Sequence, residues 1–324
     1  MSSATPPPLE DLASGLPQGV VVPTLTPFDD DGTILTQAIT DQTRRLARID
    51  GVAGIAVNTA DRERDSLTAV ERIEVIRRTR EGLVSGQMLL AHVGTLSGAT
   101  LEEVASCQAA GADVVICDPA ENHETSEANS VDERLEALMD LAKRLPLPVI
   151  MTLDRAGRGR PAIRTAISTL AWHCDNVIGV ALAADDDVLR YDQDYYALKS
   201  TGRPLACLAS STGALFHNLN TGADGVLSPL AQLAPHEIAA LYQASRTGRF
   251  LDAQALHNRL SLVIGLLAGH DEITRERICR EIAHHRGLLA SPETRGGADP
   301  LSVQGMRRVH QIIEETGLDP VSWV

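Results

Sequence analysis

Eight short aliphatic runs, separated by longer segments with helical periodicity, restrict the fold of this chain more than any other feature. They are GVVVPTL (19–25), GIAVN (54–58), MLLAHV (88–93), DVVIC (113–117), PVIMTL (148–153), NVIGVAL (176–182), PLACLA (204–209) and DGVLS (224–228). Runs that are apolar at almost every position are typical of parallel strands covered on both faces, and their alternation with helices fits right-handed crossovers. The pattern therefore predicts an α/β fold, a (β/α)8 TIM barrel.

The chain divides into three predicted parts. Residues 1–18 contain three consecutive prolines and no periodicity, so we expect a surface tail. Residues 19–231 form the predicted barrel. Residues 232–324 form a predicted C-terminal helical domain, with helices near 235–246, 249–269, 272–288 and 300–317.

Two apolar helix faces and three glycines define further expectations. In residues 67–83, one face carries Leu67, Val70, Ile73 and Ile76 and should be buried. The last helix carries a stripe that should pack on the barrel or, alternatively, on another subunit: Leu301, Val303, Met306, Val309, Ile312 and Ile313.

Gly51, Gly111 and Gly222 should end helices just before strands, either as a trace of internal repetition or as ordinary loops.

The charge balance argues against nucleic acid and anionic membranes as partners. The 43 acidic residues exceed the 29 lysines and arginines and give a net charge of −14, which repels nucleic acid and anionic membranes. No apolar run is long enough to span a membrane, and the first residues, MSSATPPPLEDLASG, lack a signal sequence, so we expect a cytoplasmic protein. The five cysteines form no CxxC pair and predict neither a disulfide framework nor a cysteine zinc site.

Polar residues that close the predicted strands are the candidates for chemistry, because barrel enzymes place their active sites there. We predict Glu63, His92 and Asp118 as acid–base residues, after or in the second, third and fourth strands. Structural interpretations stay open. Glu63 is alternatively an ion-paired loop residue, and His92 is alternatively a core histidine bonded to a backbone carbonyl.

The loop LDRAGRGRP, residues 153–161, places three arginines among two glycines. Arg155 and Arg158 are the predicted substrate-binding residues, because guanidinium offers paired donors to a carboxylate or phosphate. Solubility alone is the alternative explanation. No HExxH or similar ligand pair occurs, so we expect no metal and no cofactor, although His92, His123, Asp118 and Glu63 leave an oxygen and nitrogen site open.

Several motifs, in order along residues 19–320, resemble the dihydrodipicolinate synthase and N-acetylneuraminate lyase family. They are GVVVPTLTPFDDDG (19–32), GVAGIAVN followed by Glu63, LTAVER (67–72), AGADVVI from 110, PVIM from 148, NVIGV from 176 and GADGVLSPLAQLAP (222–235). The resemblance implies a barrel with a C-terminal helical domain, usually a homotetramer. It also implies class I aldolase chemistry, in which a lysine of strand 6 forms a Schiff base with a 2-oxo acid and a tyrosine after strand 5 moves protons.

The family's catalytic positions are almost all changed here. By the resemblance, the lysine position is Ala181 and the tyrosine position is Thr152, while the substrate-binding Gly-Thr-Thr-Gly turn corresponds to residues 59–62. Thr59 and Thr152 are therefore predicted to contact the ligand. The chain's two lysines, Lys143 and Lys199, end the helices before strands 5 and 7, which places them at the opposite face of the barrel from the mouth.

Two functions remain after these observations. The first is a lyase-like enzyme, breaking a carbon–carbon or carbon–oxygen bond of a small 2-oxo or hydroxy acid without a lysine imine. The second is a catalytically silent binding or regulatory homologue. Turnover of 2-oxo acids, as opposed to thermal stabilisation alone, separates the two.

Overall fold

The computed structural model describes residues 18–59, 61–97, 100–119, 131–153, 160–184, 187–295 and 299–321. Eight parallel strands form a closed barrel in chain order, which confirms the predicted (β/α)8 fold. The strands are β1 Val20–Pro23, β2 Val52–Val57, β3 Met88–Thr95, β4 Val114–Asp118, β5 Val149–Leu153, β6 Val177–Leu182, β7 Ala206–Ala209 and β8 Gly225–Val226.

Helices surround this barrel and continue beyond it. Those between the strands are α1 Thr36–Leu46, α2 Asp61–Ser66, α3 Ala69–Gly82, α4 Thr100–Ala110, α5 Val131–Arg144, α6 Arg160–His173, α7 Val188–Lys199 and α8 Leu215–Thr221. The last five are α9 Leu230–Leu233, α10 Pro235–Arg246, α11 Phe250–Ala268, α12 Glu272–His285 and α13 Val303–Thr316. Downstream of β8 the described chain is therefore helical, as the sequence predicts.

Burial divides into two apolar clusters, one inside the barrel and one between the strands and helices. The inner cluster is rich in small and branched residues: Val21, Ala56, Leu90, Val114, Ile116, Ile150, Ile178, Ala181, Ala206, Leu208 and Leu227. Alternate residues of each strand point inward, so the barrel is a packed core. Space for a ligand is therefore confined to the ends of the strands.

Gly111 and Gly222 directly follow the last residues of their helices as expected, whereas Gly51 lies in a turn five residues after the end of α1. Gly111 and Gly222 have φ values of 105° and 116°, in the left-handed region where only glycine carries no Cβ penalty. At Gly222 an added Cβ would also lie 2.9 Å from the Tyr195 hydroxyl. Gly111 and Gly222 thus turn the chain from a helix toward the following strand.

The predicted buried face of α3 is wrong at Val70, whose surface is 79% exposed. The rest of the predicted face is buried or packs against the core, and the helix also buries Val75, Thr79 and Gly82. Gly82 lies so close to α1 that an added Cβ would meet the Thr40 carbonyl oxygen at 2.6 Å.

The apolar stripe of α13 packs mainly on α11 and α12, rather than on the barrel as the first expectation had it. Val309, Ile312 and Ile313 are buried, whereas Val303 is largely exposed. The C-terminal helices thus cover part of their own apolar surface, and α12 remains available to face the barrel.

Candidate functional site

A cavity of about 390 Å³ lies at the carboxyl ends of the strands, where barrel enzymes carry out their chemistry. The strands and the segments that follow them contribute Pro23, Leu25, Thr59, His92, Ile116, Asp118, Thr152, Ala181, Ala183, Ser210, Thr212, Leu227 and Pro229 to its lining. Gln232 of α9 and Glu272, Arg275, Glu276 and Cys279 of α12 complete it. The volume suits a small organic ligand.

The sequence candidates His92 and Asp118 meet in this cavity. His92 Nε2 lies 3.1 Å from Asp118 Oδ2, and the Thr152 hydroxyl donates to Asp118 Oδ1 at 2.6 Å. His92 Nδ1 lies 3.3 Å from the carbonyl oxygen of Asn58. One continuous hydrogen-bonded chain therefore runs across the ends of β2, β3, β4 and β5.

The groups in this chain differ in what they donate and accept. The Asn58 carbonyl and an ionised Asp118 both only accept hydrogen bonds, and a neutral imidazole carries one N–H. A neutral His92 therefore satisfies only one of its two contacts unless the carboxyl group is protonated. His92 Nε2 and Asp118 Oδ2 are close enough to exchange a proton with each other.

Asn58, at the end of β2, has a strained backbone at this same place. Its φ of 59° is the single positive value among the described non-glycine residues. Its buried Oδ1 makes no hydrogen bond within the described residues. Asparagine tolerates the left-handed region better than most residues, and such strain is concentrated at functional sites. The strain turns the carbonyl group toward His92.

Ala181 lies on β6 directly beside Thr152 of β5 and contributes to the cavity surface. Both lysines of the chain lie elsewhere. Lys199 Nζ donates to the Leu205 carbonyl and to Asp224, which precede β7 and β8, and Lys143 is exposed at the end of α5. Neither amine lines the cavity.

Glu63 is placed behind the cavity wall and not in the cavity lining. Its Oε1 accepts the Thr26 N–H at 3.0 Å, and its Oε2 accepts Arg280 Nη2 at 2.5 Å. Both side chains are almost completely buried. Burial raises the pKa of the Glu63 carboxyl, while the charge of Arg280 and the Thr26 N–H act in the opposite direction. With both oxygens occupied, Glu63 connects α2 to α12.

Arg280 was not identified from the sequence, yet it joins the C-terminal helices to the barrel mouth. Nη1 donates to the carbonyl oxygens of Thr26 and Glu293 at 3.0 and 2.8 Å, and Nη2 also reaches Thr26 at 3.1 Å. The guanidinium lies 5.2 Å from the centroid of the Phe28 ring. These contacts fix the segment after β1 that supplies Leu25 to the cavity.

The predicted clamp residues Arg155 and Arg158 lie outside the described residues. The third arginine of that loop, Arg160, is buried and is held by Asp194 of α7 at 2.6 Å and by the Ala183 carbonyl oxygen at 2.7 Å. It therefore anchors the start of α6. Thr59, the other predicted ligand contact, does line the cavity.

The described residues offer little to a metal ion or a nucleophilic thiol. Within the described ranges, no three His, Cys, Asp or Glu side chains are grouped as metal ligands. Cys279 lines the cavity, but burial raises the pKa of its thiol to about 12, which keeps it protonated at neutral pH. Nor is any described helix both long and apolar enough to cross a membrane.

Several known proteins are similar to this chain. A 4-hydroxy-tetrahydrodipicolinate synthase of Chlorobium phaeobacteroides (strain BS1) is 28% identical over 256 residues, 76% of this chain and 81% of the relative. An uncharacterized DapA-like lyase of Thermococcus onnurineus (strain NA1) is 30% identical over 242 residues, 73% of this chain and 78% of the relative.

Solved structures share the fold at lower identity. The dihydrodipicolinate synthase of Oceanobacillus iheyensis has a TM-score of 0.81 at 20% identity, covering 96% of this chain and 100% of the other. YagE of E. coli K12, a family protein solved in complex with pyruvate, has a TM-score of 0.79 at 23% identity, covering 93% and 98%. The sequence profile of the Dihydrodipicolinate synthetase family matches residues 16–316. This chain therefore belongs to the dihydrodipicolinate synthetase family.

Proposed function

We propose that this protein is a lyase-like enzyme that acts on a small 2-oxo or hydroxy acid by acid–base chemistry, without a lysine imine. The contact between His92 and Asp118 in the cavity is the observation that carries the proposal. Such a pair is poised both to give and to accept a proton. Family membership supports the lyase class, and the pyruvate bound to YagE supports a 2-oxo acid as the ligand.

Each cavity group has a role in this proposal. For carbon–oxygen cleavage, the His92–Asp118 pair removes a proton from the carbon next to the carbonyl group to form an enolate, and the enolate then expels a hydroxyl group from the following carbon, which takes the proton from the pair and leaves as water. For carbon–carbon cleavage, the pair removes the proton of a hydroxyl group two carbons from the carbonyl carbon, the carbon–carbon bond between them breaks to give an aldehyde or ketone and an enolate, and the pair returns the proton to the enolate carbon. Thr152 orients the Asp118 carboxylate. Thr59 is proposed to contact the ligand, and Arg155 or Arg158 to hold its carboxylate. We assign Glu63 a positioning role, since its oxygens are engaged by Thr26 and Arg280.

Borohydride trapping tests the absence of an imine. Pyruvate and borohydride should leave the intact mass of the protein unchanged, because Ala181 occupies the cavity wall on β6 and neither lysine lines the cavity. A class I aldolase treated in parallel is the positive control. A covalent adduct of pyruvate mass on Lys143 or Lys199 would contradict the proposal.

A catalytically silent binding homologue is the alternative, and one observation favours it. All four tyrosines of the chain lie on α7 and α10, and none lines the cavity. A silent homologue is expected to be thermally stabilised by 2-oxo acids without converting any of them. The turnover assay in the Discussion separates the two functions.

We further propose that the protein is a homo-oligomer, a tetramer by family resemblance. The cytoplasmic location stays a prediction. The large exposed side chains of Trp172, Leu189 and Tyr196 on α6 and α7 support a subunit contact. Light scattering at micromolar concentration should give a mass near four times 34.6 kDa. A strict monomer would count against the proposal.

A further inference from the structure

One face of α12 forms the outer rim of the cavity. Glu272, Arg275, Glu276 and Cys279 have the spacing i, i+3, i+4 and i+7, which places them on one side of a helix, and all four line the cavity. Arg275 is the single arginine or lysine among the described lining residues. The C-terminal helices therefore add a charged edge to a site whose inner wall comes from the strands.

The environment of Arg275 leaves its guanidinium available to a ligand. Nη2 donates to the His270 carbonyl oxygen at 3.1 Å, and Arg275 forms no ion pair with the described residues, although Glu272 and Glu276 are neighbours on the helix. Glu276 Oε1 instead lies 3.5 Å from Arg280 Nε. The helix dipole disfavours a cation this close to the helix N-terminus. Stabilisation of α12 therefore does not explain an arginine at position 275.

We propose that Arg275 binds a second carboxylate of the ligand, so that the substrate is a 2-oxo or hydroxy dicarboxylic acid. This inference rests on the proposed function, which places the reacting carbon at the His92–Asp118 pair. The nearby carboxylates of Glu272 and Glu276 repel an anion that is not aligned with the guanidinium. The rim therefore favours an anion that is aligned with Arg275.

A matched pair of ligands tests the site. 2-Oxoglutarate and 2-oxovalerate have the same number of carbons and differ only in the distal carboxylate. By calorimetric titration, the wild-type protein should bind 2-oxoglutarate about five- to twentyfold more tightly, because a charge-assisted hydrogen bond at a partly exposed rim has this order of strength. Arg275→Gln should abolish the preference while leaving the affinity for 2-oxovalerate unchanged.

The control is Arg307→Gln, which changes an exposed arginine of α13 away from the cavity and should keep the preference. Arg155→Ala and Arg158→Ala test the binding of the first carboxylate. The variant that removes the arginine holding this carboxylate should lower the affinity for both acids equally, by roughly ten- to a hundredfold. Equal binding of the two acids by wild type, or a preference retained by Arg275→Gln, would overturn the Arg275 site. The proposed function is tested by turnover instead. If Arg275→Gln retains the preference while Asp118→Asn loses turnover, only the Arg275 site is rejected.

Discussion

Replacing Arg280 with methionine should lower the free energy of unfolding by about 3–5 kcal/mol, the cost of removing one partner from a buried ion pair. The guanidinium is completely buried and donates to Glu63, to the Thr26 carbonyl and to the Glu293 carbonyl. Methionine fills similar space but leaves the Glu63 carboxylate charged and without its counter-charge. The carboxylate must then either remain unpaired or take up a proton.

Urea-induced unfolding followed by circular dichroism measures this loss, with Arg44→Met as the matched control. Arg44 pairs with Asp41 on the exposed surface of α1, and its loss should change stability by less than about 1 kcal/mol. The double variant Arg280→Met with Glu63→Leu should recover part of the loss, since no unpaired charge remains. A loss below about 1 kcal/mol in Arg280→Met would contradict the role of this ion pair.

The sequence predicts the barrel well because its signal is repeated eight times. Each strand is apolar at nearly every position, and only a parallel sheet covered on both faces uses such strands repeatedly between helices. The residues that end these strands follow directly from that topology. His92, Asp118 and Thr152 meet because the carboxyl ends of parallel neighbouring strands share one edge.

The contribution of α12 could not be predicted in the same way. Residues 277–283 of this helix are all buried, the charged Arg277, Arg280 and Glu281 among them. A helix buried on every side has no polar face, so periodicity does not show which charged residues are internal. Their burial depends on partners such as Glu63, which is 217 positions away in the chain. Pairing at that distance leaves no local pattern.

The close approach of α3 to α1 has a similar cause. Gly82 lies against the Thr40 carbonyl oxygen with no room for a Cβ, a contact that the apolar pattern of α3 does not show. The conformation of Asn58 is also a tertiary effect, because the hydrogen bond to His92 connects two strands. Sequence alone thus places the candidate residues at the mouth but does not give their tautomers, partners or strain.

Removing either member of the His92–Asp118 pair should abolish most of the activity. Asp118→Asn and His92→Asn should each lower turnover by about 10²–10⁴-fold, the usual contribution of a positioned acid–base group. Both variants keep a polar side chain in place but lose one of the two groups that exchange protons. Thr152→Val should have a smaller effect, since it removes only the hydrogen bond that orients Asp118 Oδ1.

Nuclear magnetic resonance in D₂O measures this chemistry at the reacting carbon, whichever bond of the substrate is finally broken. Hydrogen exchange at the carbon next to the carbonyl, and any bond cleavage, are followed for pyruvate, 2-oxovalerate and 2-oxoglutarate. Asp192→Asn is the matched control, because Asp192 and His217 form a similar pair at 2.8 Å on α7 and α8, away from the cavity. Unchanged turnover in Asp118→Asn would reject the catalytic pair. The opposite outcome is a wild-type protein that is stabilised by these acids and exchanges none of their protons. That result would identify the protein as a binding homologue, because an intact acid–base pair without turnover serves only to hold the ligand.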